Sequence, residues 1–374
     1  MFRVPVKGLE RWSARFASVQ GKDTDFHFNF TEEPGVTTFK QYFVAVVTSA
    51  FTGLGTMSAA HAQAPAGDMV KLGFAKCAQC LSMALVPQYS KTKIDAINFT
   101  SGNDVLTALI SHSVDIAQVT YLHFVTALDR GFDVVAVSGQ VNGGSAILTR
   151  KGFGLKENDW DGMKQKVAAA KAAGKPLKVA ASRGNAQDIH MRGELLMHGI
   201  NPDKDVQFIN IPNPADDIGA LQRGEIDIVC AVEPFASQIR LSGAGDLFNL
   251  PYDQAAGNLT NLIVTRRDYI NAHPEQVQQT VDAVVKMVDG LKQSNAGWLG
   301  AIDKYTALDK SVAAESLKNA FPDYKMYRLK TDAIAKMMRD LHYVSTDVTP
   351  KISANMDYDF LSKATGQPKT ALGF

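Results

Sequence analysis

The stretch Ala108-Leu109-Ile110-Ser111-His112-Ser113-Val114-Asp115-Ile116 returns in outline as Ala220-Leu221-Gln222-Arg223-Gly224-Glu225-Ile226-Asp227-Ile228. Each copy reads Ala-Leu, four mostly polar residues, then Val/Ile-Asp-Ile. Such a unit is the end of a helix, a tight turn and the start of a buried strand. Two copies in successive α/β segments predict two similar lobes in one chain. In open α/β sheets ligands gather beyond the carboxyl ends of the strands, so two lobes facing each other make a cleft.

Around the first copy, Val70–Phe74, Ile94–Phe99, Asp115–Val119 and Val134–Ser138 read as strands. Helices are expected over Leu81–Tyr89, from Asn103 or Asp104 as N-cap to about His112, and over Tyr121–Arg130, where Gly131 stops the last. Around the second copy, strands Leu177–Ala181, Val206–Ile211 and Ile226–Ala231 alternate with helices Trp160–Ala173, Asn185–His198, Ala215–Gln222 and Phe235–Leu241. Alternation of this kind argues for a parallel sheet in each half. Asn142-Gly143-Gly144-Ser145 breaks the first pattern and marks one crossing between lobes. The β-rich run Leu259–Thr265 marks the return. From Tyr269 onward the chain reads as helical: Pro274–Lys292, Trp298–Tyr305, Ser311–Ala320 and Thr331–His342. The expected division is residues 67–147 with 259–374 as lobe one and its helical tail, and 148–258 as lobe two. Two connections between lobes suit hinge bending.

The N-terminal part reads as a processing signal. Lys40 precedes an apolar run of small residues from Tyr42 to Ala60, and Ala60-His61-Ala62 fits an A-x-A cut. Residues 36–62 are therefore expected to be a secretory signal. Residues 1–35 are expected to be an extension or a misassigned start, with Val36 as the candidate initiator. Removing residues 1–62 leaves equal numbers of Lys/Arg and Asp/Glu. That balance offers no basic field for nucleic acid. No cysteine sits at the cut to carry a lipid anchor.

Cys77-Ala78-Gln79-Cys80 is a C-x-x-C, and Cys230 stands alone in a strand. In an oxidising compartment the pair reads as a structural disulfide or two unreactive thiols rather than a redox centre, because the thioredoxin surroundings are missing. His190 and His198 are eight apart, too far for the i, i+4 spacing of helical zinc sites, and the other histidines stand isolated. No metal site and no cofactor is expected. There is no G-x-S-x-G, H-E-x-x-H, P-loop or complete G-x-G-x-x-G.

Candidate ligand residues lie at strand ends. Ser182-Arg183-Gly184-Asn185-Ala186-Gln187 follows a strand and opens a helix, whose free N–H groups and partial positive charge suit an anion. Arg183 could add a charge-assisted contact. The plainer alternative is that Ser182 or Asn185 only caps the helix. Ser101-Gly102-Asn103-Asp104 is the matching turn in lobe one, a binding turn or a cap. Thr120 and Tyr121 follow a strand, and Tyr121 could stack on a ligand or pack in the core. Lys76 could face an anion. Glu233 could meet a ligand amine or serve as a satisfied acid at the cleft edge.

Taken in order, Ser101-Gly102, Ala108-Leu109…Val114-Asp115-Ile116, Gly131-Phe132-Asp133-Val134, Lys178-Val179-Ala180…Gly184, His198-Gly199-Ile200-Asn201-Pro202-Asp203-Lys204-Asp205-Val206, and Ala220–Asp227 with Glu233-Pro234 resemble the periplasmic substrate-binding proteins of nitrate/sulfonate/taurine ABC importers. That group is related to thiamine-precursor binding proteins, and the likeness spans roughly Val70 to Met287. It implies a type II periplasmic-binding fold, with two α/β lobes joined by two crossing segments around a ligand cleft. It also implies a soluble monomer that closes on a small organic anion, a sulfonate or carboxylate, aromatic acids included, and delivers it to a permease driven by a separate ATPase. The implied ligand contacts are Lys76-Cys77, Ser101–Asn103, Thr120-Tyr121 and Arg183–Gln187. His112-Ser113 departs from the usual small-residue turn, and the C-x-x-C is unusual. The alternative is a thiamine-pyrimidine-related binding protein or a synthase-like enzyme of that branch, whose cysteine-rich motif Cys77 and Cys80 faintly echo.

Overall fold

The computed structural model describes residues 69–374, which belong to one compact unit carrying two sheets. The expected extension and signal, residues 1–62, lie outside the described residues.

In the first sheet, β1 (Val70–Ala75) lies between β2 (Ile94–Phe99) and β3 (Ile116–Thr120), and all three run parallel. β4 (Val134–Gly143) belongs to the same sheet. β5 (Ser145–Arg150) leaves for the second sheet, where β6 (Lys178–Ala181), β7 (Gln207–Asn210) and β8 (Ile228–Val232) run parallel to one another. β9 (Gly245–Asn249) pairs with β5, after which β10 (Asn261–Arg266) returns between β3 and β4, antiparallel to both. β11 (Ala320–Asp323) closes the far edge on β4.

The orders are β11-β4-β10-β3-β1-β2 and β7-β6-β8-β5-β9. Both have the same design. Three parallel strands carry the lobe, and one antiparallel strand arrives from the other lobe: β10 beside β3 in the first sheet, β5 beside β8 in the second. The crossing falls at Gly143-Gly144, both at positive φ (89° and 83°), so all of β5 belongs to the second sheet, slightly ahead of the expected boundary at 147. Only glycine enters that region without strain.

The repeated motif has a shared physical role. Asp115 N–H donates to the Lys71 carbonyl (2.9 Å), and the Asp115 carboxylate accepts from Lys71 N–H (2.8 Å). Asp227 does the same to Lys178 at 2.9 and 3.0 Å. Each aspartate thus locks the entry of the third strand of its lobe onto the first. The preceding turn takes positive φ in both, at His112 (60°) and Gly224 (69°).

Buried strand residues and the inner faces of the flanking helices form one core in lobe one, including Leu72, Phe74, Ile116, Leu262 and Val284. Two smaller clusters cover the two faces of the second sheet, one around Ile147, Met191 and Phe248, the other around Leu148, Val229 and Ile239. The tail adds helices at Pro274–Gln293, Ala296–Thr306 and Arg328–Asp340, with the short helices Lys310–Ser316, Thr349–Asn355 and Asp359–Thr365. Among the described residues no helix is long and apolar enough to cross a membrane.

Candidate binding cleft

The carboxyl ends of β1, β2, β3, β6 and β8 converge on one cavity. From lobe one it is lined by Lys76, Cys77, Gln79, Ser101, Gln118 and Thr120, and by Thr260 and Asn261 at the start of β10. Lobe two contributes Ser182, Asn185, Gln187, Pro214 and Val232. The lobes are closed on it. The volume open to the centre of a water molecule is about 40 Å³. A single water needs roughly 10–15 Å³ on that measure, so the cavity suits a guest of a few heavy atoms.

Direct contacts between lobes hold this state. Ala78 N–H donates to the Glu233 carbonyl (2.7 Å), and Asn103 Nδ2 donates to the Arg183 carbonyl (3.1 Å). Tyr343, from the tail, donates its hydroxyl to Asp188 of lobe two. Behind Asn103 stands His123, fully buried. Its Nδ1 accepts from Thr120 N–H (3.2 Å), which leaves the proton on Nε2 to donate to Asn103 Oδ1 (3.0 Å). Burial pushes its pKa down to about 4, so the ring is neutral at pH 7. His123 therefore fixes which way the Asn103 amide points.

The expected residues divide into two groups. Lys76, Cys77, Ser101, Thr120, Asn185 and Gln187 line the cavity. Arg183, Gly184, Asn103, Tyr121 and Glu233 do not. Arg183 is exposed; its N–H donates to Asn210 Oδ1 of its own lobe (2.9 Å), and its carbonyl meets the other lobe by accepting from Asn103. Gly184 takes positive φ (80°), and its N–H donates to the Asp188 carboxylate (2.9 Å). That carboxylate also accepts from Arg192 Nε (3.0 Å). The Arg183 side chain and Gly184 thus stand away from the cavity, which corrects the expectation that Arg183 seats the anion, while Asn185, Ala186 and Gln187 at the start of the helix line it.

Tyr121 is 1 % exposed and packs in the lobe-one core with Tyr358, where burial raises its hydroxyl pKa far above the usual range. It begins the helix Tyr121–Asp129 with its ring turned inward, so it is core and not a stacking platform. Glu233 is also 1 % exposed. Its carboxylate accepts from Ser237 N–H (2.9 Å) and Arg240 Nη2 (3.3 Å), and burial raises its pKa against their pull. It is a satisfied internal acid, and only its backbone meets the other lobe.

The N-cap of the helix Gly102–Ile110 is Ser101, not Asn103 or Asp104. Ser101 Oγ accepts from Asp104 N–H (3.3 Å), and the Asp104 carboxylate accepts from Ser101 N–H (3.1 Å), a reciprocal capping box. Cys77 and Cys80 form a disulfide, and Cys230 is a buried free thiol.

Sequence reasoning missed Gln79, Gln118, Thr260 and Asn261. They form a buried polar floor. Gln118 Nε2 donates to Asn261 Oδ1 (2.9 Å), Gln118 Oε1 accepts from Ala75 N–H (3.2 Å), and Asn261 Nδ2 donates to the Val141 carbonyl (2.7 Å). The available signal was a glutamine inside the apolar strand Ile116–Thr120. A polar side chain in a buried strand needs a partner or a purpose. Among the described residues lining the cavity only Lys76 is charged, and among all described residues no cluster of His, Cys, Asp and Glu is placed to hold a metal.

A model of the NMT1-like family matches residues 63–297. The alkanesulfonate-binding protein SsuA from Xanthomonas axonopodis pv. citri, solved bound to MOPS, is similar with a TM-score of 0.64 and 19 % identity over 78 % of this chain and 98 % of that one. The periplasmic nitrate-binding protein NrtA from Synechocystis PCC 6803 gives 0.68 and 16 % over 81 % of this chain and 90 % of that one. Likenesses at these identities establish the periplasmic-binding fold. Among curated proteins, the bicarbonate transport ATP-binding protein CmpC of Synechocystis sp. is 23 % identical over 229 residues, 58 % of this chain. The match spans only 34 % of that relative's length.

Proposed function

The chain belongs to the NMT1-like family, and on that premise we propose that it is a solute-binding receptor of an ABC importer. It captures a small monovalent anion by closing two lobes and delivers it to a membrane permease powered by a separate ATPase. Residues 36–62 would direct it to the periplasm. Nitrate and alkanesulfonate, for which the similar proteins are named, are both monovalent oxyanions, and the SsuA structure holds the bulkier sulfonate MOPS.

The observation that carries the reading is the cavity itself. It lies between two lobes joined at Gly143-Gly144 and before β10, and its walls combine neutral amides and hydroxyls with the Cys77–Cys80 disulfide, Ala75, Ala186, Pro214 and Val232, with Lys76 as the sole charge. One positive charge calls for one negative charge. The neutral groups give orientation without adding net charge. The small volume favours an inorganic oxyanion or a short sulfonate or carboxylate over an aromatic acid.

Nothing in this mechanism requires a bond to break. A ligand shifts the open–closed balance by binding the closed form more tightly. The reading of an enzyme built on the C-x-x-C loses support, since the disulfide leaves neither sulfur as a free thiol. Isothermal titration against nitrate, bicarbonate, acetate, glycolate, ethanesulfonate and benzoate tests the proposal. Saturable 1:1 binding of a small member and none of benzoate is expected. Tightest binding of benzoate, or no binding of any, contradicts it.

A further inference from the structure

The peptide unit between Arg183 and Gly184, in lobe two, is held from lobe one at both ends. Its carbonyl accepts from Asn103 Nδ2 (3.1 Å). Its N–H donates to Asp188 Oδ2 (2.9 Å), and that same oxygen accepts from the Tyr343 hydroxyl. The grip is firm on each side. Asp188 is fully buried, and its other oxygen accepts from Arg192 Nε (3.0 Å) within lobe two. Leu341 and Val344, on either side of Tyr343, are buried in the lobe-one core. The Asn103 amide is oriented by His123 Nε2 (3.0 Å). A Cβ on Gly184 would stand 3.2 Å from Asn103 Oδ1, so glycine permits the close approach as well as the positive φ. Asn103, Arg183, Gly184, Asp188 and Tyr343 do not line the cavity, yet Asn185, Ala186 and Gln187 of its wall follow the gripped peptide directly.

Bonds that exist only in the closed form stabilise it relative to the open one. The apparent affinity of any guest scales with the share of molecules able to close, so such bonds multiply every affinity by one factor. We infer that Tyr343 and Asn103 are positioning residues that clasp the Arg183-Gly184 peptide on closure, setting how tightly any guest is held without touching it. The clasp also fixes the backbone from which Asn185 and Gln187 reach the cavity. A guest enters while the lobes are open, so the clasp slows release and leaves capture unchanged. Because both residues grip one peptide, losing either loosens what the other holds. This rests on the receptor reading above and assigns its closure to named residues.

The test measures affinity by titration, and association and release rates by stopped flow, for nitrate, acetate and ethanesulfonate. The proteins are wild type, Tyr343→Phe, Asn103→Ala and the double variant. Tyr343→Phe keeps the ring and Asn103 is exposed, so a folding failure in one leaves the other to decide. Each single variant should weaken every probe that the wild type binds by one common factor, on the order of tenfold. Release should quicken by that factor while association holds. The double variant should lose less than the product of the two single losses, as expected for coupled contacts. Unchanged affinity in either folded single variant overturns the inference. So does a factor that differs between probes by more than about threefold, slower association with release unchanged, or a double loss equal to the product. In each of these cases the receptor reading stands. If the wild type binds no probe, both fall.

Discussion

Lys76 is half-buried at the end of β1, in a cavity that excludes most water once closed. Its attraction for an anion is strengthened by that loss of screening. Charge-assisted hydrogen bonds contribute about 1.5–3 kcal/mol, so Lys76→Gln should weaken the best anion by roughly 10- to 100-fold in titration calorimetry. Arg183→Gln should change it by less than about threefold, because the Arg183 side chain lies outside the cavity. Asp217 is a second residue-scale case. It is buried, its Oδ1 has no partner, and burial beside Asp216 raises its pKa well above 3.8. From pH 3.8 upward the unfolded chain releases that proton while the folded chain holds it, so stability falls as pH rises through this window. Asp217→Asn should therefore raise the melting temperature at pH 7–8, and the gain should vanish near pH 3. Strand ends and helix starts are readable from spacing, which is why the expected Lys76, Cys77, Ser101, Thr120, Asn185 and Gln187 fall on the cavity wall. Side-chain direction is not readable in that way. Tyr121 sits one residue from a cavity wall, yet its ring turns into the core.

At the scale of elements the doubled Ala-Leu…Asp-Ile unit carries the fold. Its aspartate clamps the first and third strands of each lobe through paired bonds to Lys71 and Lys178. The turn ahead of it needs a left-handed residue, and the lobes differ there. Gly224 fits freely, while His112 at φ 60° bears a steric cost of roughly 1–2 kcal/mol, partly offset by the entropy a glycine would lose. His112→Gly should stabilise the fold by about 0.5–1 kcal/mol in urea unfolding, and a loss of stability would count against this account of the turn. The parallel strands were legible because apolar runs alternate with capped helices. β9 and β11 were not. Gly245–Asn249 is short and half polar, and Ala320–Asp323 contains Pro322. Proline removes a ladder donor and is tolerated at a sheet edge, which is where β11 lies.

At the scale of the molecule, closure and acid stability share the same buried groups. His123 and His190 are both buried neutral, with pKa pushed down to about 4 by desolvation. As pH falls from about 6.5 to about 4 the unfolded chain takes up protons that the folded chain refuses, so stability is lost in that window, on the order of 3 kcal/mol per histidine. His190→Asn should flatten this limb of a stability–pH profile relative to wild type, while a profile as steep as wild type would mean the ring is not the group involved. The lobes meet through direct bonds of Asn103 to Arg183, Ala78 to Glu233, Tyr343 to Asp188, Arg240 to Glu315, and Asn319 to Tyr252 and Ser145. Such a contact set can open and close about the glycine crossing, where a Cβ on Gly144 would overlap the Gln79 amide. The central claim is this closure on a small anion. Small-angle X-ray scattering should give a smaller radius of gyration when the tightest-binding anion from the titrations is added at saturation, and Gly144→Ala should keep the larger value. A wild-type radius that does not change at saturating ligand contradicts the account.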